Sequence, residues 1–340
     1  MAQPHHRVLV TGGAGYIGAA LCPKLLAAGY EVTVLDILFF GTEPIAPLGS
    51  DPRFRLVVGD IRDRALVLSV LKSGSFDRVI HLAAISNDPS SEIDPHITEQ
   101  VNIAATRSVM ESAKRAGVAR FVFASSASVY GIKSVPDVHE GLQLEPITVY
   151  ARSKVEGEAA LGELIDDSFE GVSVRAATVC GRSPRLRLDL TVNILTYQAV
   201  CEGRIRVFGG TQLRPNVHIE DLADLYVELL DAPGVSGAAY NVCHSNASVR
   251  QLAEMVQTAA APTVPIETVP TQDLRSYHLS GAKLARDLGF TPRRDPRDAA
   301  RDLGERLRTG RVPEPASSLY RNVAHMQTNL GFWQRPDLSA

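Results

Sequence analysis

The sequence predicts an α/β fold in which a doubly wound, parallel sheet carries a smaller C-terminal lobe. Three observations lead there. Short apolar runs alternate with helix-length segments through the first half of the 340-residue chain. Those runs are rich in Val, Ile, Leu and Phe without strict alternation, as strands buried on both faces require. Beyond residue 177, Pro and Gly interrupt the pattern and the helical segments stand apart from one another.

Strands are expected at 7–10, 31–35, 55–58, 78–82, 120–124 and 172–176. Helices are expected between several of them, at 17–28, 65–71, 97–116 and 150–164. Repeated β–α alternation of this kind builds a parallel sheet covered by helices. Four further helices, at 191–202, 219–230, 249–259 and 281–288, should form most of the second lobe. The division expected is a main domain over 1–177, to which part of 214–243 returns, and a lobe with a C-terminal tail over 178–340. Residues 310–340, with Pro313, Pro315, Phe332 and Trp333, receive no role from the sequence.

Composition sets the outer limits. The chain is 45% hydrophobic and 21% charged, enough for a large core. A net charge of -3 and a pI near 6.3 give no reason to expect nucleic acid or an anionic membrane as partner. No apolar run approaches the roughly 18 residues of a membrane span, and no apolar leader core follows Met1. A cytoplasmic protein is therefore expected. Cys22, Cys180, Cys201 and Cys243 lie far apart and form no C-x-x-C pair. They read as buried or semi-buried free thiols, and no metal site is expected.

The first strand runs into Thr11-Gly12-Gly13-Ala14-Gly15-Tyr16-Ile17-Gly18. Between a strand and a helix, each glycine of this spacing has a task. Gly12 permits a tight turn, Gly15 lets backbone approach a pyrophosphate, and Gly18 lets the helix pack close to the sheet. The helix N-terminus then offers free N–H groups to phosphate. Together these mark a Rossmann-type dinucleotide site, with Tyr16 and Ile17 beside the cofactor. Asp36 ends the second strand. Its carboxylate can accept from an adenosine ribose diol and repels a 2′-phosphate, which favours NAD over NADP. A loop or capping aspartate is the plainer alternative. Asp60 and Ile61, after the third strand, could hold the adenine.

Tyr150 and Lys154 are four residues apart, hence on one helical face. A tyrosine ionises near pH 10, and a neighbouring ammonium is expected to pull it toward neutrality. Tyr150 could then serve as general acid/base on a substrate hydroxyl or carbonyl, with Lys154 also hydrogen-bonding a nicotinamide ribose. A surface Tyr–Lys pair is the plainer alternative. Ser126 follows the fifth strand, at the edge where parallel sheets bind ligands, and could share the reacting oxygen.

The glycine loop, Asp36, Asp60-Ile61, His81-Leu82-Ala83-Ala84, Asn102, Ser126, Tyr150-x-x-x-Lys154 and Arg214-x-x-x-His218-x-x-Asp221 together resemble the extended short-chain dehydrogenase/reductase family. That family includes the nucleotide-sugar epimerases and dehydratases, and the likeness spans roughly residues 7–290. The resemblance implies a catalytic set of Ser126, Tyr150 and Lys154. It places Leu82, Ala83 and Ala84 in the cofactor cleft, Asn102 nearby as a structural residue, and Arg214 on a substrate diphosphate. Arg185 and Arg187 sit where the lobe closes and could bind phosphate; surface salt bridges are the alternative. The loop Ile85-Ser86-Asn87-Asp88-Pro89, with Ser86 and Asn87 foremost, could touch the sugar.

Two departures from the family pattern matter. Sugar 4,6-dehydratases carry an Asp-Glu pair directly after the catalytic Ser/Thr, where this chain has Ala127 and Ser128. Dehydration by that route is disfavoured. Thr178 stands where many relatives have a phosphate-binding asparagine, which it replaces only in part. The resemblance implies an NAD-dependent nucleotide-sugar epimerase acting at C4. Tyr150 takes the hydroxyl proton, hydride passes to NAD, and the keto intermediate turns before hydride returns to its other face. A C4 dehydrogenase or ketoreductase would use the same residues. A non-catalytic NAD(H)-binding scaffold or sensor is the rival from another class, and the intact Ser126/Tyr150/Lys154 set speaks against it. The expected partner is a nucleoside-diphosphate sugar. Apolar stripes on the 97–116 and 150–164 helices imply a homodimer, with packing inside the subunit as the alternative.

Overall fold

The computed structural model describes residues 6–133, 135–271, 276 and 278–333. Strands β1 (Arg7–Thr11), β2 (Glu31–Asp36), β3 (Phe54–Val58), β4 (Arg78–His81), β5 (Arg120–Ser126) and β6 (Glu170–Ala176) lie where the apolar runs put them. Six further strands follow: β7 (Thr178–Cys180), β8 (Ile205–Phe208), β9 (Leu213–His218), β10 (Ala238–Val242), β11 (Ser245–Ser248) and β12 (Ile266–Val269). A seven-stranded sheet runs in the order β10-β6-β5-β4-β1-β2-β3. All its pairings are parallel. Strands β11-β9-β7 and β12-β8 make two small separate sheets.

The unalternated apolar runs have a direct structural meaning. Along β1, Val8 and Val10 enter the core on one face of the sheet and Leu9 the core on the other. Along β5, Val122 and Ala124 face one way, Phe121 and Phe123 the other. Helix Tyr16–Ala27 packs with Ile219–Leu229, while Arg64–Gly74, Thr106–Arg115 and Val149–Leu164 form the opposite layer. Strand order reverses at β1, between β2 and β4. Ligands of parallel sheets bind in the crevice that this reversal opens at the carboxyl edge.

Three helices, Thr191–Tyr197, Val249–Ala260 and Pro296–Arg308, pack together in the lobe around Leu195, Leu252, Val256 and Ala299. The last of them was not expected, although its start is written in the sequence. Asp295 accepts from the amides of Arg297 and Asp298, and the Asp298 carboxylate reaches back to the Asp295 amide at 3.1 Å. Pro296 at the first position completes a capping box.

The continuous helix expected at 97–116 is interrupted. Pro95–Glu99 passes through a π turn, Gln100–Ala105, before Thr106–Arg115 continues. Such turns insert one residue and often mark functional positions; here the turn carries Asn102. Val109, Met110, Ala160 and Leu161 of this helix and of Val149–Leu164 pack inside the subunit, whereas Ala104 and Ala159 are exposed. Their outer surface carries the ion pair of Arg107 with Glu163. Of the thiols, Cys22 and Cys180 are buried and Cys243 half-buried, but Cys201 is exposed, contrary to the expectation for it.

A buried ion pair ties the second half of the sheet to helix Val149–Leu164. Arg175 of β6 donates to Glu158 at 2.6 and 2.9 Å and to the Tyr130 hydroxyl at 2.8 Å. Ser125 also donates to Glu158. Removing one partner strands a charge in the core. Arg175→Met should therefore cost about 3–5 kcal/mol of stability in denaturant titrations, and adding Glu158→Leu should recover much of it.

Candidate active site

One cavity of about 470 Å³ lies at the carboxyl edge of the sheet. Each strand end contributes: Gly12 after β1, Asp36 on β2, Asp60 after β3, Leu82 after β4, Ser126 on β5 and Ala176 on β6. The glycine loop is shaped for a large ligand. Gly12 has φ +73°, and a Cβ there would stand 2.6 Å from the Ala83 amide nitrogen. A Cβ on Gly15 would meet only the Gly12 carbonyl oxygen, at 3.1 Å, so its other side is open. No side chain caps the helix that begins at Tyr16. Its first N–H groups and its positive dipole end therefore face the cavity.

Asp36 lines the cavity and accepts from the amides of Ala14 and Leu38 at 2.9 and 2.8 Å. Burial raises its pKa and the two amides oppose that rise. Asp60 is buried and held by Arg62, which donates to its carboxylate at 2.7 and 3.0 Å. Gly18, Ile17, Tyr16, Ile61, Ala83 and Ala84 line the same cavity. Tyr16 also bridges to the lobe, because its hydroxyl donates to the Gly181 carbonyl at 2.6 Å.

The reactive end is built on helix Val149–Leu164. Thr148 caps it by accepting from the Ala151 amide at 3.0 Å. The amide of Tyr150 donates to Ser91 Oγ at 3.2 Å. Ser126 ends β5 and accepts from the Ser128 hydroxyl at 3.0 Å. Ser126 and Tyr150 both line the cavity; Lys154 lies beneath it, its ammonium 5.4 Å from the centre of the Tyr150 ring and 5.1 Å from that of Phe123. That ammonium makes no hydrogen bond to any described residue, so it is available to the hydroxyls of a ligand. Asn102 fixes the surrounding backbone. It accepts from the Ile85 amide at 2.8 Å and donates to the Ile85 carbonyl at 3.0 Å and to Ser153 at 3.3 Å.

The protonation states differ from the sequence expectation. Burial pushes the Tyr150 hydroxyl up to about 12, with Asp88 adding to the rise and Ser126 opposing it. Burial lowers the Lys154 ammonium to about 8, with Glu158 opposing. Tyr150 is therefore raised, where the spacing with Lys154 leads to the expectation of a lowered value, and desolvation is the largest cause.

At the far end stand Ser86, Asn87, Thr178, Arg185, Arg187 and Arg214, all lining the cavity. The two lobe arginines are buried rather than paired at the surface. Arg187 forms a two-pronged pair with Asp189, at 2.9 and 3.0 Å. Arg185 stacks 3.6 Å from the centre of the Phe40 ring, and burial together with Arg187 lowers it to about 9. A strained cation of this kind gains from an anionic ligand. Arg214 donates to the Leu213 carbonyl at 3.1 Å. His218 and Asp221, which accompany Arg214 in the sequence, act on the backbone instead: His218 caps helix Ile219–Leu229, and Asp221 accepts from the amides of Arg293 and Arg294.

Asp88, in the loop expected at the sugar, lines the cavity. Sequence reasoning missed Asn322, Met326 and Trp333, which also line it. All three lie in the tail, where no motif marks them. Among the described residues no three His, Cys, Asp or Glu side chains gather as a metal-ligand set.

The sequence profile of the NAD dependent epimerase/dehydratase family matches residues 8–243. The chain belongs to that family. The UDP-glucose 4-epimerase of Streptomyces lividans is 31% identical over 306 residues, covering 85% of this chain and 92% of that protein. Among solved structures, the UDP-glucose 4-epimerase of Thermus thermophilus, in complex with NAD, superposes with a TM-score of 0.79 at 27% identity, covering 89% of this chain and 99% of that one. The UDP-glucuronic acid 4-epimerase of Bacillus cereus, in complex with UDP-glucuronic acid and NAD, gives 0.79 at 26% identity over the same shares. This chain is accordingly an NAD-dependent enzyme. The open backbone at Gly15, the carboxylate of Asp36 and the unpaired ammonium of Lys154 fit that cofactor.

Two measurements check the site. Tyr150→Phe should lower turnover by about 10²–10⁴-fold while the folded protein still binds NAD. Lys154→Met tests the buried ammonium by stability. A lysine whose folded pKa is about 8 loses its proton in the folded state before the unfolded chain does. The burial penalty is complete below pH 8 and is relieved as pH rises toward the ordinary lysine value. NAD-free Lys154→Met protein should therefore be more stable than wild type at pH 7, by about 3 kcal/mol at most. That advantage should shrink by pH 10.

Proposed function

We propose that this enzyme is a nucleotide-sugar epimerase that inverts a hydroxyl at C4 through a transient keto intermediate. Its substrate in this reading is a nucleoside-diphosphate sugar. The reading rests above all on one observation: Ser126 and Tyr150 face the NAD crevice, and no acid/base pair follows Ser126. Ala127 is buried in the core, and the Ser128 hydroxyl is bonded to Ser126. The 4-epimerase names of the similar proteins support the same choice.

Bound NAD supplies the hydride acceptor and returns the hydride. Tyr150 takes the proton of the C4 hydroxyl and later gives it back, while Ser126 hydrogen-bonds the reacting oxygen. Lys154 holds the nicotinamide ribose and adds positive charge beneath the ring of Tyr150. Gly12, Gly15, Tyr16, Ile17, Gly18, Asp36, Asp60, Ile61, Leu82, Ala83 and Ala84 form the cofactor side. Arg185, Arg187, Arg214 and Thr178 receive the diphosphate, and Ser86 and Asn87 the sugar. NAD binding falls to residues 1–177 with part of 214–243, substrate binding mainly to 178–340. The free thiols make a cytoplasmic location part of this reading. No described helix is long and apolar enough to cross a membrane.

The purified enzyme, incubated with NAD and a panel of nucleoside-diphosphate sugars, should give a product of unchanged mass with new ring couplings by NMR. Loss of two hydrogens with NADH accumulating would instead assign a dehydrogenase, and loss of water a dehydratase. We also propose a homodimer through helices Thr106–Arg115 and Val149–Leu164, which lie side by side on one face of the sheet. Light scattering at micromolar concentration should return twice the chain mass; a monomer removes the proposal.

A further inference from the structure

The tail, to which the sequence assigns no role, closes the ligand crevice. Asn322, Met326 and Trp333 line the cavity, and the segment 322–333 is fastened to three of its walls. At the adenosine end, Phe39 and Phe40 follow shortly after Asp36. Leu38 adopts φ +60°, a left-handed conformation that costs a branched residue about 1 kcal/mol or more. Phe39 then packs against His325, Phe332 and Trp333, with ring centres 4.8, 5.0 and 4.8 Å away. His325 Nε2 lies 3.1 Å from the Phe39 carbonyl oxygen, which fixes that nitrogen as the donor. Arg62, the partner of Asp60, donates to the Trp333 carbonyl at 3.3 Å through both terminal nitrogens.

The third attachment is at the substrate end. Asn322 accepts from Arg185 at 2.6 Å and donates to Ser86 at 3.1 Å, and its amide donates to Asp189 at 2.9 Å. The indole N–H of Trp333 is buried beside the cavity without an acceptor. Unsatisfied buried donors are rare and ask for a cause.

We propose that residues 322–333 form the outer wall of the cofactor site and hold NAD in place between turnovers. Asp60 is tied to this segment through Arg62, and Phe39, three residues after Asp36 and itself lining the cavity, packs on its aromatic side chains. In this proposal the dinucleotide leaves only when that aromatic seam parts. An epimerase needs such retention, because the hydride that leaves the sugar must return from the same cofactor molecule. The inference rests on the NAD site and deepens the epimerase reading, but its test does not use the reaction.

His325 and Phe332 hold the seam without lining the cavity, so His325→Ala/Phe332→Ala loosens the aromatic attachment and leaves the lining residues in place. Trp333 is the chain's only tryptophan. Its emission, quenched by energy transfer to bound NADH, reports release when excess NAD is added as a chase. Release from the double variant should be faster by on the order of tenfold, with association changed less. Purified wild-type protein should keep NAD through desalting. Equal release rates in a folded double variant overturn the proposal, as does wild-type protein that sheds NAD within seconds. Hydrogen exchange on the wild type gives a second reading that needs no variant. Loading NAD should slow amide exchange across 322–333, and unchanged exchange there also overturns the proposal. A net NADH-producing reaction in the product assay would defeat the epimerase reading and leave these release rates standing.

Discussion

A lysine ammonium set into the core without a hydrogen-bond acceptor among the described residues is the constraint around which this site is organised. Burial, opposed only in part by Glu158, lowers Lys154 to about 8, so the fold bears a cost that a methionine would avoid. Its surroundings limit that cost without cancelling it. Glu158, one turn further along the helix, favours the charge, and Arg175 and Ser125 keep Glu158 in place. Phe123 and Tyr150 present ring faces to the ammonium. Asn102 fixes the neighbouring Ser153 through its hydroxyl. A charge left this way interacts strongly with whatever enters the crevice, because little water screens it. The same burial raises the hydroxyl of Tyr150, with Ser126 opposing.

The crevice offers a ligand charges of both signs. Asp36 and Asp60 line it, and so do Arg185, Arg187 and Arg214. An adenosine diol donates hydrogen bonds and meets carboxylates; a diphosphate accepts them and meets guanidinium groups and free amides. Arg187 has a full counter-ion in Asp189. Arg185 instead donates to the Asn322 side chain and the Leu186 carbonyl and lies on the Phe40 ring, with Asp189 acting on it only from a distance. The charge of Arg187 is therefore the more fully matched of the two, and that of Arg185 the more open to an anion.

Local signals made half of this legible in the sequence. The glycine loop, Asp36 and the Tyr150/Lys154 spacing are each set by one turn of chain between a strand and a helix. Their geometry follows from periodicity and from what a backbone can do. The seven-stranded sheet was legible for the same reason, except β10, whose short run Ala238–Val242 resembles any half-buried segment. The tail was not legible, because its role depends on packing between residues far apart: Asn322 meets Ser86 across 236 positions, and Trp333 meets Arg62 across 271. The protonation of Tyr150 was misread for a related reason. Spacing places two side chains on one helical face, but it does not reveal how much water is left around them.

The distinction between inversion and elimination also depends on burial. Once C4 of a hexose becomes a carbonyl, the neighbouring C–H is acidic, and a base within reach would start the loss of water. The position after Ser126 is closed to that chemistry, since Ala127 points into the core and Ser128 is bonded back to Ser126. Asp88 lines the cavity and acts on Tyr150 from another element. It opens the short helix Asp88–Ser91, and the Thr148 hydroxyl donates to it at 2.5 Å while that same Thr148 caps the helix bearing Tyr150. Moving Asp88 toward a sugar carbon would uncouple the cap that aims Tyr150. Its present bonds make it a brace for the tyrosine and a raiser of its pKa. The site can therefore oxidise and reduce one carbon without a second base poised at the next.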